Sequence, residues 1–192
     1  MQARRLSSRE LAIALGLASL MAATRSHPFG SLLQLPDASL AVFFLGGLAL
    51  GRAALFGAFL AEAALVDYLA IAYGGTSGWC VTPAYAILAP AYGCLWASGV
   101  WCAGRPRERW REWVRLAAAL AAGTALWFVI SNAGFYAFSG YFGELSAAEY
   151  AVRVAKYFPP YLASTAAYVA AALAAATLAD RLAARTARPA AP

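Results

Sequence analysis

Charge is scarce in this chain: Asp, Glu, Lys and Arg together make up 12% of its 192 residues. That excludes an ordinary soluble domain, in which about a quarter of the residues are charged. Histidine occurs once, at His27, and lysine once, at Lys156. The three cysteines, Cys80, Cys94 and Cys102, are spaced too widely for the C-x-x-C redox and zinc patterns. Nowhere is there a G-x-x-x-x-G-K-[ST] phosphate loop, so the chain does not hydrolyse ATP itself.

What fills the chain instead is apolar: 62% of its residues are hydrophobic and its mean hydropathy is +0.62. This is the composition of an integral membrane protein. The length suits one domain, with room for several spans of about 20 residues but none for an additional soluble catalytic domain. Apolar runs at residues 10–24, 38–50, 53–73, 83–103, 115–136 and 158–180 predict an all-α membrane protein of six transmembrane helices. The first two runs are short, which leaves a four-span arrangement with re-entrant segments as an alternative. The 34 residues from Leu40 to Tyr73 speak against it. As one helix they would reach about 50 Å, against a hydrocarbon core of about 30 Å. A break is expected at Gly46-Gly47 or at Gly51-Arg52.

Six spans alternate the loops between the two sides, and the basic residues then divide unequally. Arg4, Arg5, Arg9, Arg52, Arg105, Arg107, Arg109, Arg111, Arg115, Arg181, Arg185 and Arg188 fall on one side, and only Arg25, Arg153 and Lys156 on the other. Both termini are therefore expected in the cytoplasm, with the loop around Cys80 facing outward. The net charge of +6 follows the loops, as a topology signal does, and gives no nucleic-acid surface. A signal peptide is the rival reading of residues 1–24, but no clean small-x-small cleavage site follows, and its removal would leave an odd number of spans. The same run spaces Ala14, Ala18 and Ala22 for close packing against another helix.

Two acids lie within the third run, Glu62 and Asp67, where an ionisable group costs several kcal/mol unless it is paired or faces a cavity. Five residues place them about 140° apart on a helix, so at most one lines a given site. Asp67, about 9 Å from the outer end at Tyr73, is the candidate for ligand contact, with a structural hydrogen bond as the alternative. Glu62, deeper, is expected to be structural. Aromatic residues crowd the outward half, among them Tyr68, Trp79, Tyr85, Tyr136 and Tyr141. Part of this is an interfacial belt. The stretch Ser131 to Phe142, which mixes Asn132, serines and glycines with rings, suits an apolar pocket with a few polar contacts.

Cys80 stands apart from Cys94 and Cys102, which fall within the fourth run and are expected to be inert apolar residues. It lies in Gly74-Gly-Thr-Ser-Gly-Trp-Cys-Val-Thr-Pro83, a polar break between two long apolar runs. Thr82 and Pro83 read as the N-cap and first residue of a helix, and a nearby helix N-terminus favours the thiolate. A lone thiolate is a poor site for free zinc, which takes three or four protein ligands, although His27 is available to join it. One ligand suffices if the metal arrives already chelated in a macrocycle, a haem or a corrinoid, with one axial position to fill. A membrane thiol redox protein would need a resolving cysteine near Cys80, and Cys94 lies some four helical turns along the fourth run.

From Gly74 to Tyr85, with Asp67-Tyr68 just before, the chain resembles the substrate-binding S-components of energy-coupling-factor (ECF) vitamin transporters, and within them the small cobalamin-specific BtuM family. The resemblance extends to length, six-span layout and cytoplasmic termini. It implies an S-component-like helix bundle and uptake of cobalamin through the inner membrane of a Gram-negative bacterium. It further implies Cys80 as the axial cobalt ligand, with Asp67 and Tyr85 as neighbours in the pocket. Together with Tyr68, Trp79, Asn132, Tyr136 and Tyr141 these make up the expected binding set. Cobalamin is then the transported ligand, bound base-off, and no free metal ion is expected. Membrane lipid surrounds the protein, and family members can use a coupling module of a transmembrane subunit and two ATPases. An S-component for another vitamin is the alternative within the family, and would not need Cys80.

Overall fold

The computed structural model describes residues 6–25, 35–105 and 109–186. Within them the chain is helical with no strand. The helices are α1 (Ser8–Arg25), α2 (Ser39–Ala49), α3 (Ala53–Ala72), α4 (Leu88–Cys102), α5 (Trp110–Phe138), α6 (Ala147–Ala155) and α7 (Phe158–Thr186), with 3-10 turns at Gly78–Cys80 and Pro83–Ile87. Three of them, α3, α5 and α7, are long and apolar enough to cross a membrane. Much of α3 and α7 is unburied by protein, with Leu65, Leu69, Leu178 and Leu182 among their exposed side chains. Such faces suit lipid rather than water.

The core is centred on the shortest apolar helix. Every residue of α2 but Ala49 is buried, between α1, α3, α4 and α7. Small residues make this possible. A Cβ on Gly47 would strike the Trp96 carbonyl oxygen, and one on Gly99 the Phe44 carbonyl oxygen, so the backbones of α2 and α4 meet with no side chain between them. The glycine pair Gly46-Gly47 therefore serves packing, and the chain breaks at the other expected place. Gly51 takes φ +61°, and its amide and that of Leu50 both return to the Gly46 carbonyl to close the helix end.

The fourth run departs from a simple helix. Thr82 caps it as expected, its hydroxyl accepting from the Ala84 amide at 3.3 Å. From Pro83 to Ile87, however, the winding is 3-10, and α4 proper begins at Leu88. Pro90 has no amide to offer the Ala86 carbonyl, which is the bond an α-helix would require there. Ala14 of the small-residue series is buried in the core and Ala18 half-buried, leaving only Ala22 exposed. Hence these three alanines do not form one free stripe.

Long-range pairs define two ends. Arg52 with Glu10 (3.2 Å) and Arg9 with Asp180 (3.3 Å) gather the starts of α1 and α3 with the end of α7. At the opposite end, Arg25 and Asp67 join the ends of α1 and α3. Short α6 follows this second end, opened by a capping box between Ser146 and Glu149.

A ring-walled cavity with one thiol at its rim

At the Arg25 end a cavity of about 490 Å³ opens between α3, the 3-10 turns, α4, α5 and α7. One wall is charged and hydrogen-bonded. Arg25, its side chain only 7% exposed, is held by four bonds: Nε to Asp67 Oδ1 at 2.7 Å, Nη2 to Asp67 Oδ2 at 2.8 Å, and Nη1 to Ser39 Oγ at 2.8 Å and to the Tyr92 hydroxyl at 3.0 Å. Asp37 Oδ2 lies 3.8 Å from Nη1, while its Oδ1 accepts from the Ser39 amide and hydroxyl. Tyr85 donates its hydroxyl to Asp67 Oδ2 at 2.6 Å. A guanidinium gripped bidentately by one carboxylate, with a second nearby, is a geometry that fixes as well as neutralises.

The facing wall is made of rings from α5, from α7 and from the turn just before α7. Trp127, Phe128, Phe135, Tyr157 and Tyr161 line it, with Ser131 and Asn132 between them. Tyr161 sits 5.2 Å from Trp127 and 6.2 Å from Phe128, centre to centre. The polar side chains here are occupied by their own scaffold. Asn132 Nδ2 donates to the Phe128 carbonyl at 2.8 Å, Asn132 Oδ1 accepts from the Tyr150 hydroxyl at 3.3 Å, and Ser131 donates to the Phe128 carbonyl. Leu88 and Ala84 complete an interior that is mostly apolar with few polar groups, the usual make-up of a ligand site.

Between the walls, at the rim, is Cys80, exposed and the last residue of its 3-10 turn. Its loop is pinned from behind. The ring of Trp79 stacks on Tyr141 at 4.7 Å and meets Phe135 edge-on at 5.1 Å, and the Tyr141 hydroxyl donates to the Trp79 carbonyl at 3.2 Å. The Ser77 hydroxyl accepts from the Trp79 amide and starts the turn. Thus a loop with three glycines presents its thiol in a fixed direction.

Of the residues singled out from the sequence, Asp67, Cys80, Tyr85 and Asn132 meet around this cavity. Asp67 combines its two alternatives: it is hydrogen-bonded to α1 and it lines the cavity. Four others do not line it. Tyr68 is 62% exposed and borders a lesser crevice on the outer flank of α3, with Ile71 and Val81. Trp79 and Tyr141 spend their rings on each other. Tyr136 turns toward α6, its hydroxyl on the Leu145 carbonyl and its ring beside Tyr150. The last three brace the site from outside it. Sequence reasoning missed Arg25 as a site residue, counting it only as a loop charge, and also missed Asp37, Tyr92, Trp127, Phe128 and Tyr161.

Glu62 is off the cavity and half-buried on α3. Cys94 is half-buried on α4, and Cys102, buried, borders a small recess at the far end with Arg105, Glu112, Arg115 and Leu116. His27, the candidate companion of Cys80, lies outside the described residues. Among the described residues no three of His, Cys, Asp and Glu gather into a metal site. Comparison with known protein families and with curated proteins finds no match to the chain.

Proposed function

We propose that the protein is a cobalamin-binding membrane transport subunit of the S-component kind, with Cys80 as the axial ligand of the corrinoid's cobalt. The observation that carries this reading is the single thiol at the rim of a cavity walled by rings and by a neutralised ion pair. A flat chelated metal needs one added donor and broad apolar contact, whereas a free ion needs several donors. The cavity of about 490 Å³ is open at its rim, so it takes one face or edge of a corrinoid and leaves the rest of that large ligand outside. Thiolate binding releases the thiol proton to solvent and leaves the cobalamin base-off. The trans position on cobalt is then weakened. Cyanide departs from cyanocobalamin with its bonding pair, as the anion, and cobalt keeps its oxidation state.

In this reading α1, α2 and α4 serve as shorter spans beside α3, α5 and α7, giving six crossings with both termini cytoplasmic in a bacterial inner membrane. The cavity then faces outward. Energy comes from elsewhere, and a coupling module of a transmembrane subunit and two ATPases is the partner that fits. Uptake of cobalamin into vesicles with and without such a module measures that dependence.

Visible spectra of the purified protein with cyanocobalamin test the ligation. The wild type is expected to shift the cobalamin bands and release cyanide, and Cys80→Ala to do neither. Identical, unshifted spectra for both would remove the cobalt-ligand role. Tight vitamin binding retained by Cys80→Ala would instead favour an S-component for a different vitamin.

A further inference from the structure

The end of the bundle opposite the cavity carries a second concentration of chemistry, where α4 passes into α5. Trp101, on the last turn of α4, is 56% exposed, and Trp110, at the start of α5, is 69% exposed. Both indoles are flanked by guanidinium groups. Arg105 and Arg115 lie 5.9 Å and 5.7 Å from the Trp101 ring centre, and Arg111 lies 6.0 Å from that of Trp110. Arg105 also donates through Nε to the Trp101 carbonyl at 3.3 Å, which fixes it against the end of α4.

The charges here do not balance. Arg105 and Arg115 border one small recess together with Glu112. Arg115 takes the Glu112 carboxylate at 3.0 Å. Among the described residues Arg105, Arg109 and Arg111 have no carboxylate within ion-pair distance. Two like charges held against one ring, with one carboxylate between them, leave an excess that an anion would relieve. The Arg25 end differs, because its guanidinium is fully matched by Asp67 and Asp37.

Place in the bundle decides which anion. From Trp110 to Phe135 at the cavity, α5 covers about 37 Å at 1.5 Å per residue, roughly the thickness of a bilayer with part of its headgroup layer. Since α5 is apolar and long enough to cross, the arginines and indoles at its start lie at headgroup depth if its middle lies in hydrocarbon. Indole at that depth anchors to the interface, and arginine beside it meets lipid phosphate with the bidentate geometry that the guanidinium favours. We infer that Arg105, Arg109 and Arg111, with the Trp101 and Trp110 rings, form a binding site for the headgroup of an anionic phospholipid. It depends on α5 crossing a membrane and not on what the cavity binds.

Native mass spectrometry of the full-length protein in mild detergent, offered phosphatidylglycerol or phosphatidylcholine with the same acyl chains, tests the site. Phosphatidylglycerol is expected to be retained at least about fivefold better, the factor that a single basic residue near an anionic surface supplies, and up to about a hundredfold if all three arginines contribute. The triple variant Arg105→Gln, Arg109→Gln, Arg111→Gln should lose the preference. Its thermal unfolding and its cavity-ligand spectra should stay as in the wild type, because the cavity is at the other end. Equal retention of the two lipids by the wild type, or an undiminished preference in the triple variant, would overturn the inference. So would displacement of phosphatidylglycerol by millimolar inorganic phosphate, which would show a site for free anion. A single-arginine series in vesicles of the two lipids covers the case in which the triple variant fails to fold.

Discussion

The two walls of the cavity satisfy their polar groups in opposite ways. On the α3 side a long-range network joins residues 42 positions apart, Arg25 and Asp67, and draws in Ser39, Tyr85 and Tyr92 from three further segments. On the α5 and α7 side, Asn132 and Ser131 bond to carbonyls of their own helix, Asn132 takes one further bond from Tyr150 of α6, and the contacts between α5 and α7 are ring on ring. A network of charge-assisted bonds has few acceptable geometries, while rings can shift and still touch. The charged wall is therefore the fixed reference of the site, and the ring wall is the part able to adjust to a bulky ligand. Cys80 belongs to neither wall, and it is tied to the ring wall through Trp79, Tyr141 and Phe135.

The largest effect should come from breaking the fixed wall. Arg25→Met leaves Asp67 with the Tyr85 hydroxyl alone, at membrane depth and without its counter-charge. Removing one partner of such a pair costs about 3–5 kcal/mol, which a thermal melt in detergent will register as a large drop in Tm. Adding Asp67→Asn removes the stranded charge, so the double variant should recover much of the loss in a double-mutant cycle. If Arg25→Met melts like the wild type, the charged wall is not what holds this end together.

A smaller effect is expected on the ring wall. Among the described residues the Tyr161 hydroxyl makes no side-chain hydrogen bond, and the residue contributes its ring, beside Trp127 and Phe128. Tyr161→Phe should leave stability within about 0.5 kcal/mol of the wild type and ligand affinity within a few-fold. Tyr161→Ala should weaken ligand binding much more than it lowers Tm, since the ring is 40% exposed and borders the cavity. Titration of both variants with ligand, beside their melts, separates the two effects. Equal losses of affinity from Phe and Ala would mean that the hydroxyl, not the ring, meets the ligand.

The same contrast explains what could be read from the sequence. Among the described residues six of the seven α-helices are legible in the sequence, because an apolar run between polar breaks signals a membrane helix without reference to anything distant. So is the turn at Gly51, and so is the prominence of Cys80 in a polar, glycine-flanked loop. Asp67 was legible because a carboxylate in an apolar helix is conspicuous. Its partner was not, since Arg25 stands at a run's end where arginine is ordinary, and nothing local links it to α3. Trp79, Tyr136 and Tyr141 stand in a cluster whose rings satisfy one another first, and Tyr68 faces away from the cavity on the exposed side of α3. Composition cannot distinguish a ring facing a ligand from a ring facing a ring. The helix that was missed, α6, did carry a signal, Ser146-x-x-Glu149, a capping box at the start of a short amphipathic stretch.

That helix supplies the smallest and most local test of the ring wall, because its Tyr150 hydroxyl reaches Asn132 and its ring packs against Tyr136 and Phe142. The Glu149 carboxylate accepts from the Ser146 hydroxyl at 2.7 Å and the Ser146 amide at 3.1 Å, and these bonds, the hydroxyl first, hold its pKa below the usual carboxylate value of 4.5. A carboxyl lowered on folding contributes stability above its unfolded pKa and loses it as pH falls through the lower, folded value. The protection factors of the α6 amides, taken against the intrinsic exchange rate at each pH, should thus fall as the pH drops below about 4.5, while those of α4 and α5 hold. In Glu149→Gln the amide can still close the box but has no proton to gain, so the protection of α6 should no longer depend on acid. Glu149→Ala should exchange faster at every pH, and the ring wall should bind ligand somewhat less tightly as Tyr150 loosens its hold on Asn132. The cobalt ligation proposed for Cys80 should not change, because its loop is held by Tyr141 and Phe135 rather than by α6. A loss of ligation in Glu149→Ala would mean instead that the ring wall and the thiol loop move as one body.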